Sequence, residues 1–108
     1  MVIEFEKEYL RELYEEGKAT SRKYRFQPDV ISRYKKAIDK FKQLDKVEEL
    51  FLFHGFNYKK LTNSDIESVR ITDKYRLEFR TSIEATEEDE TIVEITICSI
   101  IELSNHYK

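Results

Sequence analysis

The chain reads as an α+β domain with helices and strands segregated along its length. Two observations predict this. Two helix-period segments, Glu6–Glu16 and Pro28 to about Lys46, lie in the first half. Strand-period segments at Glu67–Ile71, Tyr75–Ser82 and Thr91–Cys98 follow one another in the second half. The 108 residues hold one proline and two glycines and show no linker-like stretch, so a single domain over 1–108 is expected. The expected architecture is a short N-terminal strand and two helices packed on one face of a small antiparallel sheet.

Each element follows from its pattern. Val2–Phe5 alternates like a short strand. Phe5, Tyr9, Leu10 and Leu13 recur at helical spacing, and Gly17 sits where that helix should stop. Lys18–Phe26 is a basic loop. Pro28 suits the first turn of the second helix. Ile31, Tyr34, Ile38 and Phe41 form its stripe, widened by Val30, Ala37 and Leu44. Arg33, Lys35, Lys36, Lys40 and Lys42 cover the remainder, with Asp29 and Lys46 complementing the helix dipole at either end.

The second half is strand and turn. Val47–Phe56 reads as a short helical turn followed by a loop through His54-Gly55. Lys59–Leu61 is a short strand, and Asn63-Ser64-Asp65 is a turn signal. Val69 and Ile71, then Leu77 and Phe79, alternate with polar neighbours. The acidic run Glu84–Glu90 is expected to connect this hairpin to the last strand. There Val93, Ile95 and Ile97 alternate, and Ile100–Lys108 extends from it.

Composition narrows the function classes. Hydrophobic residues make up 40% and charged residues 38%, so the core is concentrated in the patterned segments. Net charge is −3, but its distribution is polarised. Residues 1–16 carry six glutamates. Residues 18–46 carry ten lysines and arginines, dense enough to follow a phosphate backbone or to form a solvated helix face. The two histidines and one cysteine assemble no zinc set, the acidic run lacks calcium-loop spacing, and no glycine-rich phosphate loop exists. No metal or cofactor is expected. Cys98 is expected to fill a strand, and with no second cysteine a reducing cytoplasm fits. The start lacks a cationic signal-peptide region, and no stretch reaches membrane-spanning length.

Register supplies the candidate site. If Val69, Ile71, Leu77 and Phe79 share the buried face, Arg70, Arg76 and Arg80 share the other. Several guanidinium groups on one sheet face suit a phosphate ligand, since each planar fork holds two anionic oxygens. Glu78 lies on the same face, so pairing with Arg70 across the strands is the competing reading.

Leu61, Ser68-Val69-Arg70-Ile71, Asp73-Lys74-Tyr75-Arg76-Leu77-Glu78-Phe79 and a tail ending near His106-Tyr107 resemble the RelE/HigB toxins, most closely the HigB-like plasmid-maintenance killer branch. The resemblance spans the whole chain. It implies the toxin of a type II toxin–antitoxin pair, a metal-free endoribonuclease that cuts messenger RNA in the ribosomal A site. The implied partners are a HigA-like helix-turn-helix antitoxin, the ribosome and its message, with DNA reached only through the antitoxin complex. Such cleavage needs a base, a donor for the leaving oxygen and cations at the phosphate. The candidates are Arg76 on the phosphate with Arg70 beside it, and His106 as acid or base. Lys60 is a base if neighbouring charge depresses its pKa. Lys59, Arg80 and Tyr107 are candidate RNA contacts. Two departures stand: Leu61-Thr62-Asn63 replaces the frequent Leu-Lys-Gly, and Ser104-Asn105-His106-Tyr107 replaces Asp-Tyr-His. A ParE-like gyrase-inhibiting toxin and a degenerate toxin that only binds its antitoxin are the alternatives.

Overall fold

A computed structural model describes residues 1–105, and its strand-period segments join one sheet. The strands are β1 (Val2–Phe5), β2 (Lys59–Lys60), β3 (Glu67–Arg70), β4 (Arg76–Glu88) and β5 (Thr91–Ser104), in the order β1-β5-β4-β3-β2. Neighbours are antiparallel except β1, which runs parallel to β5. The sheet is therefore mixed and five-stranded, larger than the small antiparallel one expected. A parallel neighbour requires a crossover rather than a tight turn, and the two helices lie within that crossover.

Helix α1 (Glu8–Glu15) buries Tyr9, Leu10 and Leu13 and stops before Gly17, whose φ of 76° is the left-handed conformation glycine tolerates. Helix α2 (Pro28–Gln43) starts on its proline and buries Val30, Tyr34, Ala37, Ile38 and Phe41. It ends before Lys46, the expected limit, because Leu44 turns extended and its side chain goes into the core. Lys40 and Lys42, not Lys46, occupy its last turn. The Glu49 carboxylate then accepts the Asp45 and Lys46 backbone N–H groups at 3.1 and 3.0 Å and opens a 3₁₀ turn over Val47–Leu52. A second such turn spans His54–Phe56.

The helices cover one sheet face. Val69 lies opposite Leu77, and Leu77 opposite Leu103; all three are buried. Phe79 and Ile100 form the next fully buried row. Phe41 of α2 meets Phe79 with ring centroids 5.1 Å apart and Phe56 at 5.8 Å, both edge-on. Tyr34 is fully buried and donates its hydroxyl to the Leu10 carbonyl at 2.6 Å, which ties α2 to α1. Among the described residues no helix is long and apolar enough to cross a membrane.

The acidic run is not a loop. β4 continues through Glu88, and β5 begins at Thr91. Only Asp89 and Glu90 turn the chain, with φ of 48° and 64°, the doubly left-handed geometry of a tight hairpin. Glutamates are poor strand formers and no Asn-Gly marked the turn, so local propensity pointed the wrong way. The β4–β5 hairpin thus projects as an arm and stretches the molecule to 49 × 29 × 24 Å.

Two outcomes follow from this core. Phe41→Ala removes a ring packed on both the sheet and the 3₁₀ region, so it should cost about 3–5 kcal/mol. The check is a fall in the urea midpoint at an unchanged slope. Burial raises the pKa of the Cys98 thiol and of the Tyr34 and Tyr9 hydroxyls. The folded chain keeps protons that the unfolded chain releases, so the sign is destabilising with rising pH. Stability should be intact below pH ~8 and decline as pH passes the unfolded thiol and phenol values of ~8.5 and ~10. A denaturation series from pH 7 upward reads this directly.

Candidate functional site

The face away from the helices is organised in rows, because residues paired across a sheet point the same way. One row holds Arg70, Arg76 and Ser104. The next holds Lys59, Ser68, Glu78 and Glu102. A bulge opposite Glu78 and Phe79 follows, and then comes a row with Arg80 and Ser99. The expected sharing of one face by the three arginines is therefore found.

Their environments differ. Arg76 is only 6% exposed. Its Nε donates to Ser68 Oγ at 3.0 Å, and its Nη2 donates to the carbonyls of Asn57 at 2.7 Å and Ser68 at 3.3 Å. Asn57 ends the His54–Phe56 turn in a left-handed conformation. Arg76 thus fastens that turn to β3 and β4 while holding a positive charge beneath the sheet surface. Arg70 is exposed and pairs with Asp73, three residues on, rather than standing against Glu78. Arg80 pairs with Asp65 at 3.1 Å and with Glu6 at 3.4 Å.

The two lysines of β2 part company. Lys59 lies opposite Ser68, on the arginine face, and has no ion pair among the described residues. Lys60 lies opposite Glu67 and points toward the helix side, away from Arg76. It is therefore not assembled with Arg76 into one site. His106 and Tyr107 lie outside the described residues. The chain leaves β5 at Ser104, opposite Arg76, so His106 follows two residues after the arginine row.

An aromatic ladder borders the same end of the sheet, and single-residue reasoning missed it. Tyr9 stacks on Tyr24 with centroids 3.7 Å apart, Phe26 lies 6.4 Å from Tyr9, and Tyr75 meets Phe26 edge-on at 5.4 Å. The Tyr9 hydroxyl donates to Glu102 at 2.6 Å and accepts the Leu103 N–H at 3.2 Å. Lys7 donates to the other Glu102 oxygen at 2.6 Å. That contact raises the Lys7 pKa, chiefly through the hydrogen bond. The ladder holds Tyr24 and Phe26 against Tyr9 and Tyr75, and leaves Arg22, Lys23 and Arg25 exposed. The available signal was the run of aromatics interleaved with cations from Lys23 to Phe26.

On the helix side, buried Glu67 accepts from the Tyr58 hydroxyl and from Thr81 Oγ1 at 2.7 Å. No group of three or more metal-ligating side chains exists among the described residues. No family model, curated protein or solved structure matches the chain.

The arginines should separate cleanly in stability. Arg76→Ala leaves the Asn57 carbonyl and Ser68 without their buried donor and should cost about 2–4 kcal/mol. Arg70→Ala loses an exposed pair and should cost under about 1 kcal/mol. Urea unfolding of the two variants side by side tests the contrast.

Proposed function

We propose that this chain is a toxin of the RelE/HigB type that cuts ribosome-bound messenger RNA without a metal. One observation carries the reading beyond the resemblance. Arg70, Arg76 and the point where the chain leaves β5 toward His106 share a single row of the sheet face turned away from the helices, with Arg70 exposed and Arg76 and Ser104 buried. Lys59 lies in the neighbouring row of the same face.

The chemistry divides among these groups by accessibility. Arg76 is fixed by its hydrogen bonds and supplies positive potential at the site without reorganising. Arg70 is the guanidinium open to a ligand. Its pair with Asp73 is a surface ion pair, worth at most about 1 kcal/mol, so a phosphodiester offering two oxygens displaces it readily. Lys59 reaches the same face and has no ion pair among the described residues. His106 is the residue in this part of the sequence whose ordinary pKa of ~6.5 suits proton transfer near neutrality. The ribose 2′-hydroxyl loses its proton and attacks the adjacent phosphorus, forming a 2′,3′-cyclic phosphate and breaking the bond to the 5′ oxygen, which takes up a proton. His106 serves one of these two proton transfers and water the other. Glu102, held by Lys7 and Tyr9, braces the end of β5 from which the tail departs.

A second reading draws on the burial of Arg76 and the carboxylate pairing of Arg70 and Arg80. A face whose guanidiniums are already matched fits a toxin that blocks a target without cleavage, such as the ParE-like gyrase inhibitors, or one that only binds an antitoxin.

Inducing the chain alone in a bacterial host, with mapping of message ends, decides between them. Growth arrest with cuts phased to codons is expected. His106→Ala and Arg70→Ala should each lower cleavage by about 100-fold or more, the usual scale for an acid–base or charge-stabilising group. Cleavage by purified chain on programmed ribosomes should persist in a chelator. Arrest with intact messages and DNA-damage signalling would instead support the gyrase-type reading, and no arrest would support the binding-only one.

A further inference from the structure

We propose that the outer edge of β4, from Ser82 to Glu88, is a docking strand for an extended partner segment in which apolar and basic residues alternate. β3 pairs with β4 only as far as Phe79, opposite Glu67. Beyond that point β4 has β5 on one side and no strand on the other among the described residues. Every residue from Ser82 to Glu90 is exposed. An edge of this length offers a row of backbone donors and acceptors to an incoming chain. The arm has no lysine and no proline, and its pairing with β5 is regular from Arg80 to Glu88, so its carboxylates are what guard this edge.

The side chains specify the partner's pattern. On the helix-facing side the edge presents Ile83, 66% exposed, and Ala85, with Glu87 following them near the tip. That side opens into a groove of about 1390 Å³ shared with Phe51, itself 62% exposed, and with Tyr58. On the other side the edge presents Glu84 and Glu88. Paired residues of an added strand point the same way, so apolar partners would meet Ile83 and Phe51 while cations would meet Glu84 and Glu88. The alternation of the partner is thus dictated by the alternation of β4.

Charge selects against the other occupants. Two arms placed edge to edge would set Glu84, Glu87, Glu88 and Asp89 against their own copies, and like charges opposite one another are destabilising. The chain's own basic block lies in α2 and the preceding loop rather than in a strand. RNA phosphates are repelled by the same carboxylates. The surface is independent of the nuclease reading, because neither Arg76 nor the tail takes part.

The test uses the full isotope-labelled chain and a synthetic peptide of about eight residues with alternating valine and lysine, long enough for one strand. Saturable binding is expected, with amide exchange slowed about tenfold or more at residues 82–88 and unchanged in α2. Glu84→Lys with Glu88→Lys should weaken binding by about tenfold or more, with the amide spectrum of the core retained. Ile83→Ser should weaken it separately, so the apolar and charged contributions are read independently. A valine–glutamate peptide should not bind. Absence of binding would overturn the proposal. So would binding without protection of β4, which indicates charge attraction alone, and so would concentration-dependent protection without peptide, which indicates a second copy at this edge.

Discussion

The structure depends on the burial of one face of β4. Leu77 and Phe79 sit between the helices and the rest of the sheet, and Phe41 of α2 packs edge-on against Phe79. Side chains alternate along a strand, so this burial forces Arg76, Glu78 and Arg80 onto the opposite face. A slip of one residue would drive three charged groups under the helices. The cost of burying unpaired charge fixes the register far more firmly than the backbone hydrogen bonds, which would be equally numerous either way. The candidate site is therefore a consequence of the core.

That consequence explains what was legible in the sequence. The period-2 pattern of Val69, Ile71, Leu77 and Phe79 located the hairpin and its faces, and Ile71 N–H to the Tyr75 carbonyl at 3.0 Å closes it over Thr72–Lys74. The stripe Tyr34, Ile38, Phe41 and the Pro28 start located α2. What stayed hidden was non-local. Nothing in Val2–Phe5 states that it pairs in parallel with residues 97–100. The acidic arm was hidden for a different reason. Its strand character comes from thirteen cross-strand pairs along β4 and β5, while its glutamates locally favour other conformations.

At the site the sequence located the cations but not their neighbours. Asp73 and Asp65 come from turns, and turn residues carry no periodic signal that says which way they face. Asn57 contributes a backbone carbonyl, which no residue type announces. Lys59 and Lys60 show the finest division: adjacent in sequence, they fall on opposite faces of a two-residue strand, and only the pairing with Ser68 and Glu67 distinguishes them.

The burial of Arg76 bears on how this face would handle a polyanion. A guanidinium held by Ser68 and Asn57 gives up mobility, so no conformational entropy is lost when a phosphate arrives. Exposed Arg70 has the opposite property, since it can swing between Asp73 and a ligand. Asp73 is almost fully exposed, so water compensates it when Arg70 leaves. One fixed and one exchangeable cation in the same row combine a standing field with a reversible grip. The acidic arm at the far end of the sheet repels what that row attracts. A nucleic acid approaching this molecule would therefore be oriented before contact, with its backbone drawn to the Arg76 end and held off the arm.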